Sequence, residues 1–181
     1  PRLCRRAKGS TEGAVLLDGN LEAKGKAYWD LGGNAHSPDH KLLAYATDDK
    51  GSELFTIRVR SLETGADLDD AIPDTRGDMV WAADGRTLFY IRLDDNHRPL
   101  YVYRHTIGTS VTSDALVYEE KDTGCYIAIG KTHSSRYILI DAHDHETSEV
   151  RVIDAEAPTA APRLIAARDK GHEYSVEHHG G

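Results

Sequence analysis

Few side chains in this sequence are spaced for catalysis. The stretch nearest to the Gly-x-Ser-x-Gly turn, which exposes the nucleophile of a serine hydrolase, surrounds Ser110 between Gly108 and Thr112. It lacks the second glycine and lies between two predicted strands, which favours an exposed loop serine. Cys125 would need a positioned histidine to act as a nucleophile, and the sequence indicates none. We therefore predict no catalytic residue in this chain.

The densest group of possible metal ligands lies between residues 141 and 146. The group consists of Asp141, His143, Asp144, His145 and Glu146, and His178 and His179 follow further along the chain. Carboxylates and imidazoles at short spacing can bind zinc when three or four of them converge. A solvated hairpin tip has the same composition and is the favoured interpretation, so no metal and no cofactor are predicted. A metal-binding β-protein stays open as an alternative.

The charge and cysteine content argue against several classes of function. The formal net charge is −8, whereas a nucleic-acid-binding protein needs a basic face to match phosphates. No apolar stretch approaches the roughly 18–20 residues that cross a bilayer, and no apolar signal segment follows Pro1. Cys4 and Cys125 are too few for a disulfide framework and are predicted to be reduced thiols. We expect a cytoplasmic protein without nucleic-acid or membrane partners.

Two acidic groups, at residues 67–70 and 119–122, are predicted to lie in loops. A ring of one sign of charge around a channel concentrates ligands of the opposite sign. Solvated loops are the simpler interpretation of these runs, and a channel for cationic peptides is the alternative.

The elements that would position all these residues repeat three times. In each repeat a polar turn with a basic residue, Lys41, Arg86 or Arg136, precedes a short apolar run, at intervals of 45 (41 to 86) and 50 residues (86 to 136). An alternating run follows each time, at residues 55–60, 100–104 and 150–153. Repeats of about 40–50 residues built only from strand patterns are typical of β-propeller blades. Long helices are not expected, because no segment keeps helical apolar spacing.

Each repeat is predicted to form four strands. In the second repeat these are residues 79–81, 87–92, 100–105 and 114–119, and Arg104 and His105 are expected to point toward solvent. The second strand is apolar on consecutive residues, which predicts burial of both its faces between neighbouring blades. Asp84 and Gly85 predict a type I′ hairpin turn, because both residue types tolerate a positive φ. Residues 37–39 mark the matching turn of the first repeat.

The predicted architecture is all-β, a partial β-propeller in one segment, 1–181. Residues 1–19 end a preceding blade, residues 27–72, 79–120 and 125–166 form three blades, and residues 173–179 start a following blade. A propeller closes with at least about four blades, so we predict an arc with an apolar face open at each end. Open faces near residues 3 and 15–17 and near residues 137–140 are expected to cause self-association.

Several ordered blocks of the sequence resemble one family. They are residues 51–65, 80–90, 97–99, 102–105, 147–150 and 176–180. In the same order, these blocks are similar to the propeller of the prolyl oligopeptidase family, and the oligopeptidase B (protease II) branch fits best. The resemblance covers nearly the whole chain. It departs at residues 141–145, which are more polar than the family pattern.

The resemblance implies one domain of a two-domain serine peptidase. Such enzymes pair a propeller with an α/β-hydrolase domain that carries a Ser-His-Asp triad, and the propeller admits short peptides and excludes folded proteins. The oligopeptidase B branch cleaves after Arg or Lys. This chain would then be a non-catalytic gating segment, with the hydrolase domain and short peptides as its partners. A free-standing propeller module for protein interaction, without enzymatic activity, is the alternative.

Overall fold

The computed structural model describes residues 1–180, and this part of the chain is built almost entirely from β-strands. The strands are β1 Arg2–Arg6, β2 Gly13–Asp18, β3 Asp30–His36, β4 Leu42–Asp48, β5 Phe55–Ser61, β6 Asp67–Trp81, β7 Thr87–Leu93, β8 Pro99–Thr106, β9 Ala115–Glu119, β10 Tyr126–Lys131, β11 Tyr137–His143, β12 Ser148–Asp154 and β13 Arg163–Leu164. One helical turn, α1, spans Gly19–Glu22, and a 3₁₀ turn spans Val111–Ser113. Within residues 1–180, neither helix is long and apolar enough to cross a membrane.

The strands pair with their neighbours in chain order, always antiparallel. β1 and β2 form a two-stranded sheet, β3 to β9 form a seven-stranded sheet, and β10 to β13 form a four-stranded sheet. The seven-stranded sheet consists of two four-stranded blades that share β6. The chain is therefore an arc of three blades with a two-stranded sheet before them, which confirms the prediction of an all-β partial propeller.

β6 connects the first and second blades without interrupting the strand. Its first half pairs with β5, where Ile72 lies opposite Ile57, and its second half pairs with β7, where Met79 lies opposite Tyr90. Between the halves, Asp74 and Gly77 have φ values of 57° and 98°. Residues 73–78, which separate the first two predicted blades, thus lie inside a bent strand that gives one edge to each blade.

The turn between the first two strands has the same construction in all three blades. In each turn, the residue immediately before the basic residue has a positive φ: 59° at His40, 63° at Gly85 and 60° at Ser135. The residue two positions before the basic one caps the turn. A side-chain oxygen of Asp39, Asp84 or Ser134 accepts a hydrogen bond from the backbone N–H of Lys41, Arg86 or Arg136, respectively. The predicted type I′ turn is wrong, because Gly85 alone has a positive φ and the carboxylate of Asp84 stabilises a longer turn.

The middle strands bury both faces, as their consecutive apolar residues predicted. On β7, Leu88 and Tyr90 join a core cluster with residues of the first blade. Phe89 and Ile91 point the other way and join a cluster with residues of the third blade, such as Ile138. Neighbouring blades are therefore held together by apolar contact across their whole faces.

At the N-terminal end, the sheet of β1 and β2 covers the first blade. Leu3 and Leu17 contribute to a third apolar cluster with Leu43 and Tyr45. Leu3 and Leu17 therefore face inward, whereas Val15 is 53% exposed. Of the residues predicted to form the open face at this end, Leu3 and Leu17 are thus covered and Val15 is exposed.

At the C-terminal end, residues 173–179 form no strand, contrary to prediction. Ladder pairing needs a neighbouring backbone, and this segment binds the third blade largely through side chains instead. The hydroxyl of Tyr174 accepts a hydrogen bond from the backbone N–H of Val150 at 2.8 Å. The ring of His178 meets that of Tyr137 edge-on at 5.1 Å. The segment thereby covers part of the outer face of the third blade.

Glu177 attaches this final segment to a turn of the third blade. One carboxylate oxygen accepts a hydrogen bond from the backbone N–H of His133 at 2.9 Å, and the other lies 2.8 Å from Nδ1 of the same residue. Hydrogen bonding to His133 lowers the pKa of Glu177 to about 2. The same contact raises the pKa of His133.

Replacing Glu177 by glutamine should return the pKa of His133 toward 6.5, its ordinary value. The pair stabilises the fold fully between the ordinary pKa values of the two groups, 4.5 and 6.5. This contribution is lost as the pH falls through the lowered pKa of Glu177 and as it rises through the raised pKa of His133. An NMR titration of the His133 ring measures the change, with Glu173→Gln as control. An unchanged titration curve in Glu177→Gln would contradict the pairing.

Candidate functional site

Ser110 caps the 3₁₀ turn between β8 and β9. Its Oγ accepts a hydrogen bond from the backbone N–H of Thr112 at 3.3 Å and lies 2.8 Å from Oγ1 of the same residue. Within residues 1–180, no imidazole is bonded to this hydroxyl, so the arrangement stabilises a turn and does not activate a nucleophile.

Cys125 has the properties of a core residue. It is 1% exposed, and burial raises the pKa of its thiol. A nucleophilic cysteine needs the opposite shift, because the thiolate is the reactive form. Cys4 is exposed on β1, and both cysteines are free.

Asp144, in the group considered for metal binding, stabilises a hairpin turn. Its Oδ1 accepts hydrogen bonds from the backbone N–H groups of Glu146 and Thr147 at 2.8 and 2.7 Å. These bonds lower the pKa of the carboxyl below its ordinary value. Asp48 and Asp94 accept equivalent bonds at the same turn of the first and second blades. Asp144 is therefore the third copy of a turn residue.

In the described part of the chain, the other residues considered for metal binding do not converge on one point. His143 is the last residue of β11 rather than part of a loop, with its Nδ1 3.7 Å from Oδ1 of Asp141, and His145 is exposed at the hairpin tip. His178 lies at the other end of β11, where its Nδ1 is 2.9 Å from Oγ of Ser134. Among residues 1–180, no three Cys, His, Asp or Glu side chains converge as metal ligands.

The two acidic groups that were predicted to be loops have internal partners. Residues 67–70 lie in β6, and Asp70 is buried beside His105. Glu120 is 6% exposed and accepts a hydrogen bond from Arg168 at 2.6 Å. The loop prediction is wrong for residues 67–70, because pairing with β5 extends β6 through them. Carboxylates that are buried or paired in this way contribute little negative charge to the channel for cationic peptides that was the alternative interpretation.

The structure assembles a buried polar cluster in the second blade that the sequence did not reveal. His105, at the end of β8, is fully buried, so the prediction that it points toward solvent is wrong. Its Nε2 lies 2.9 Å from Oδ1 of Asp70, and its Nδ1 lies 2.7 Å from Oδ1 of Asp114. An ionised carboxylate only accepts hydrogen bonds. When both carboxylates are ionised, both ring nitrogens therefore donate.

Two further groups complete this His105 cluster. The hydroxyl of Tyr90 donates to Oδ2 of Asp114 at 2.8 Å, and the backbone N–H of Gly108 donates to Oδ1 of Asp70 at 2.6 Å. Burial, together with the neighbouring carboxylate, raises the pKa of Tyr90, so its phenol stays protonated and available as a donor. Each charged group of the cluster thus has a partner.

The first blade contains a related cluster. The hydroxyl of Tyr45 and Nε of Arg60 donate to the two oxygens of Asp67 at 2.8 and 2.7 Å. Burial opposes ionisation of Asp67, but these bonds outweigh it and hold its pKa below the usual range. Arg60 also donates to Glu22 at 2.9 Å. In the third blade, Ile140 and Ile153 occupy the equivalent positions, and both are 1% exposed.

In both clusters one carboxylate comes from the preceding part of the chain. Glu22 precedes the first blade, and Asp70 lies in the first blade although its partner His105 lies in the second. The clusters therefore link neighbouring repeats as well as strands within one blade. Neither cluster contains a nucleophile, and the His105 cluster is closed to solvent. Both clusters therefore stabilise the fold, and we call this role a clamp.

A large cleft lies between the sheet of β1 and β2 and the first blade. It has a volume of about 1080 Å³ and lies between β1 and the end of β3, with Leu3, Arg5, Leu16 and Leu43 among its lining residues. β1 pairs with β2 on one side only. An unpaired strand edge beside apolar side chains can accept a further strand.

Comparison with known proteins places this geometry in a family. The chain matches, over residues 1–181, the family described as prolyl oligopeptidase, N-terminal beta-propeller domain. The chain belongs to this family. Its members are serine peptidases, and the propeller is one of their domains.

Members of the prolyl oligopeptidase family resemble the chain in sequence and in structure. Dipeptidyl aminopeptidase BI of Pseudoxanthomonas mexicana is 38% identical over 92% of this chain, and Protease 2 of Moraxella lacunata is 34% identical over 91%. Oligopeptidase B from Leishmania major superposes on 99% of the chain with a TM-score of 0.91 and 29% identity. The predicted likeness to the oligopeptidase B branch is confirmed.

The chain spans about a quarter of the length of these family members. It covers 23% of the Pseudoxanthomonas enzyme, 24% of the Moraxella enzyme and 26% of the Leishmania structure. The blades described above therefore correspond to part of the propeller domain of these family members.

Proposed function

We propose that the chain is a non-catalytic part of a propeller that restricts access to the active site of an oligopeptidase B-like serine peptidase. The nucleophile, its histidine and its aspartate would lie outside residues 1–181. The observation that carries this proposal is the superposition of nearly the whole chain on an oligopeptidase B propeller. The bonding of Ser110, Cys125 and His105 within the fold supports it, since none of them forms a nucleophile–base pair.

The proposed restriction follows from the way blades associate. Apolar contacts between blade faces and the buried clusters hold neighbouring blades close, and we propose that the passage through such a propeller admits short peptides and excludes folded proteins. A preference for peptides with Arg or Lys rests on the likeness to the oligopeptidase B branch. The net charge of −8 supports it, because an acidic protein attracts cationic ligands over a distance of about a Debye length.

A serine-directed phosphonate tests the absence of catalytic residues. The isolated chain should remain unlabelled and should not hydrolyse chromogenic peptides that contain Arg or Lys. The longer peptidase that carries the chain should be labelled once, at a serine outside residues 1–181. Stoichiometric labelling of any serine within the chain would overturn the proposal. Absence of hydrolase activity in the longer protein would favour the alternative, a free-standing interaction module.

Removal of dipeptides from free N-termini is a second candidate activity for the longer protein. It is favoured by the 38% identity to a protein named dipeptidyl aminopeptidase. A pair of substrates separates the two candidates: the chromogenic amide of a dipeptide ending in Arg, with its N-terminus free or acetylated. An oligopeptidase cleaves both, whereas a dipeptidyl aminopeptidase cleaves only the free form.

We also propose that the isolated chain self-associates. Exposed Val15, half-buried Tyr137 and Leu139, and the unpaired edge of β1 remain available for contact. Dimers or larger species should therefore form as concentration rises. Analytical ultracentrifugation over a concentration series measures this, and Val15→Lys should weaken it while Leu116→Lys, at a position on β9 that is 48% exposed, should not. A monomer that persists at high concentration would disprove it.

A further inference from the structure

A cavity of about 540 Å³ lies where the first strands of the three blades end. The turn after β3, the end of β6 and the end of β10 line it on three sides, and we call this open pocket the inner cavity. Its lining residues used below are His36, Pro38, His40, Val80, Trp81 and Lys131. Its volume is in the range of about 300–1,000 Å³ that is usual for small-ligand sites.

One wall of the inner cavity is apolar and firmly held. Trp81 is 2% exposed, and its Nε1 donates to the carbonyl oxygen of Ala35 at 2.9 Å, which joins β6 to β3. Val80 is also buried, and Pro38 lies in the adjoining turn. An aliphatic side chain of a ligand could contact this wall without any rearrangement of the backbone.

Lys131 provides the positive charge of the inner cavity. It lies on β10 on the same face of the strand as Ile127 and Ile129, so its alkyl chain lies along an apolar surface. The side chain is half-buried, and burial lowers the pKa of its amine. Within residues 1–180, no carboxylate oxygen forms an ion pair with it, whereas half-buried Arg60 and Arg168 each bind two carboxylates. A partly buried ammonium is costly unless an anion balances it.

The carboxylate in the turn after β3 already has partners. Asp39 accepts hydrogen bonds from Oγ of Ser37 at 2.6 Å and from the backbone N–H of Lys41 at 3.1 Å. The rings of His36 and His40, with centroids 4.4 Å apart, form the polar rim of the inner cavity. The cavity therefore combines an apolar wall, a polar rim and the ammonium of Lys131, which has no ion-pair partner within residues 1–180.

We propose that the inner cavity binds the carboxylate of a peptide, with Lys131 as the counter-ion and the Trp81 wall receiving the adjacent apolar side chain. The carboxylate belongs either to a C-terminus or to an acidic side chain. One lysine without an arginine fork suits a single negative charge better than a phosphate. The choice of a peptide as the carrier rests on the proposed function, but the binding itself requires no hydrolysis.

Isothermal titration calorimetry of the 181-residue chain with three probes tests this. Acetyl-Ala-Leu carries a C-terminal carboxylate, acetyl-Ala-Leu-amide carries none, and acetyl-Asp-Leu-amide carries a side-chain carboxylate. At least one acid should bind about tenfold to a hundredfold more tightly than the neutral amide, as expected for one charge-assisted hydrogen bond. The acidic probe that binds more tightly shows whether the carboxylate comes from a C-terminus or from an acidic side chain.

Variants assign the binding to Lys131. Lys131→Gln should lose the preference for the acid, and Lys131→Arg should keep most of it. Lys41→Gln is the matched control, because Lys41 is an exposed lysine at the same end of the blades. Equal binding of acid and amide, no binding of any probe, or an unchanged preference in Lys131→Gln would each overturn the proposal. None of these results bears on the phosphonate test of the proposed function.

Discussion

Replacing His105 by leucine should destabilise the chain by about 3–5 kcal/mol, the range for removing one partner of a buried ion pair. The substitution leaves the carboxylates of Asp70 and Asp114 facing each other across an apolar side chain, and their side chains are only 4% and 1% exposed. The midpoint of urea unfolding, followed by circular dichroism, measures the effect. The exposed hairpin residue His145 supplies the control, since His145→Leu should change stability by less than about 0.5 kcal/mol.

A second set of variants separates the charge effect from altered packing. Adding Asp70→Asn and Asp114→Asn to His105→Leu removes both uncompensated charges, so the triple variant should be more stable than the single one. Residues in one network give non-additive energies of about 0.5–3 kcal/mol. If His105→Leu cost less than 1 kcal/mol, or if the effects were additive, the cluster would not act as a clamp.

Replacing Gly33 by alanine should destabilise the chain by about 3 kcal/mol, the upper end of the usual cost of overpacking. A Cβ at Gly33 would lie 2.4 Å from the carbonyl oxygen of Gly77. This oxygen belongs to the bend of β6, where Gly77 has a φ of 98°, so the backbone cannot move away without disturbing the strand shared by two blades. Chemical denaturation again provides the measurement.

Gly130→Ala is the matched control for this substitution. Gly130 lies on β10, the first strand of the third blade, and a Cβ there would have no neighbour within 4 Å. Because alanine restricts the unfolded chain, this variant should be neutral or more stable by up to about 1 kcal/mol. Equal effects of the two substitutions would show that the close approach of β3 to β6 is unimportant.

The strands were predictable because their signal is local. The consecutive apolar residues of β7 and the alternation of β8 follow directly from what each strand contacts on its two faces. The arc of blades was predictable from the same patterns, since the repeats are close in length. The likeness to the oligopeptidase B branch came from ordered sequence blocks and not from these patterns.

The His105 cluster was missed because its partners are distant in sequence. His105 lies at the end of an alternating strand, a position that usually faces solvent. Its burial follows only from the contact with Asp70, which lies in another blade. One signal was present: Tyr45 and Tyr90, and likewise Arg60 and His105, are separated by the same 45 residues (45 to 90 and 60 to 105). A repeated tyrosine and a repeated basic residue inside apolar strands indicate a shared internal role.

Two other errors concern conformation rather than chemistry. The type of the Asp84-Gly85 turn depends on whether one or both residues adopt a positive φ. The hydrogen bonds to the carboxylate of Asp84 favour the form in which only Gly85 does. The pattern of residues 173–179 resembles a strand, but a strand exists only where a second backbone pairs with it. Neither condition is visible in the residues themselves.

The shared strand β6 also determines where the arc can bend. Tilting the first blade against the second would break backbone hydrogen bonds along a strand that belongs to both. The second and third blades are joined differently, by residues 120–125, by apolar contact, and by single bonds such as that from Arg76 to the carbonyl oxygen of Ile127. Over residues 1–180, a relative tilt of the second and third blades would therefore interrupt no shared strand, whereas a tilt of the first two blades would interrupt β6.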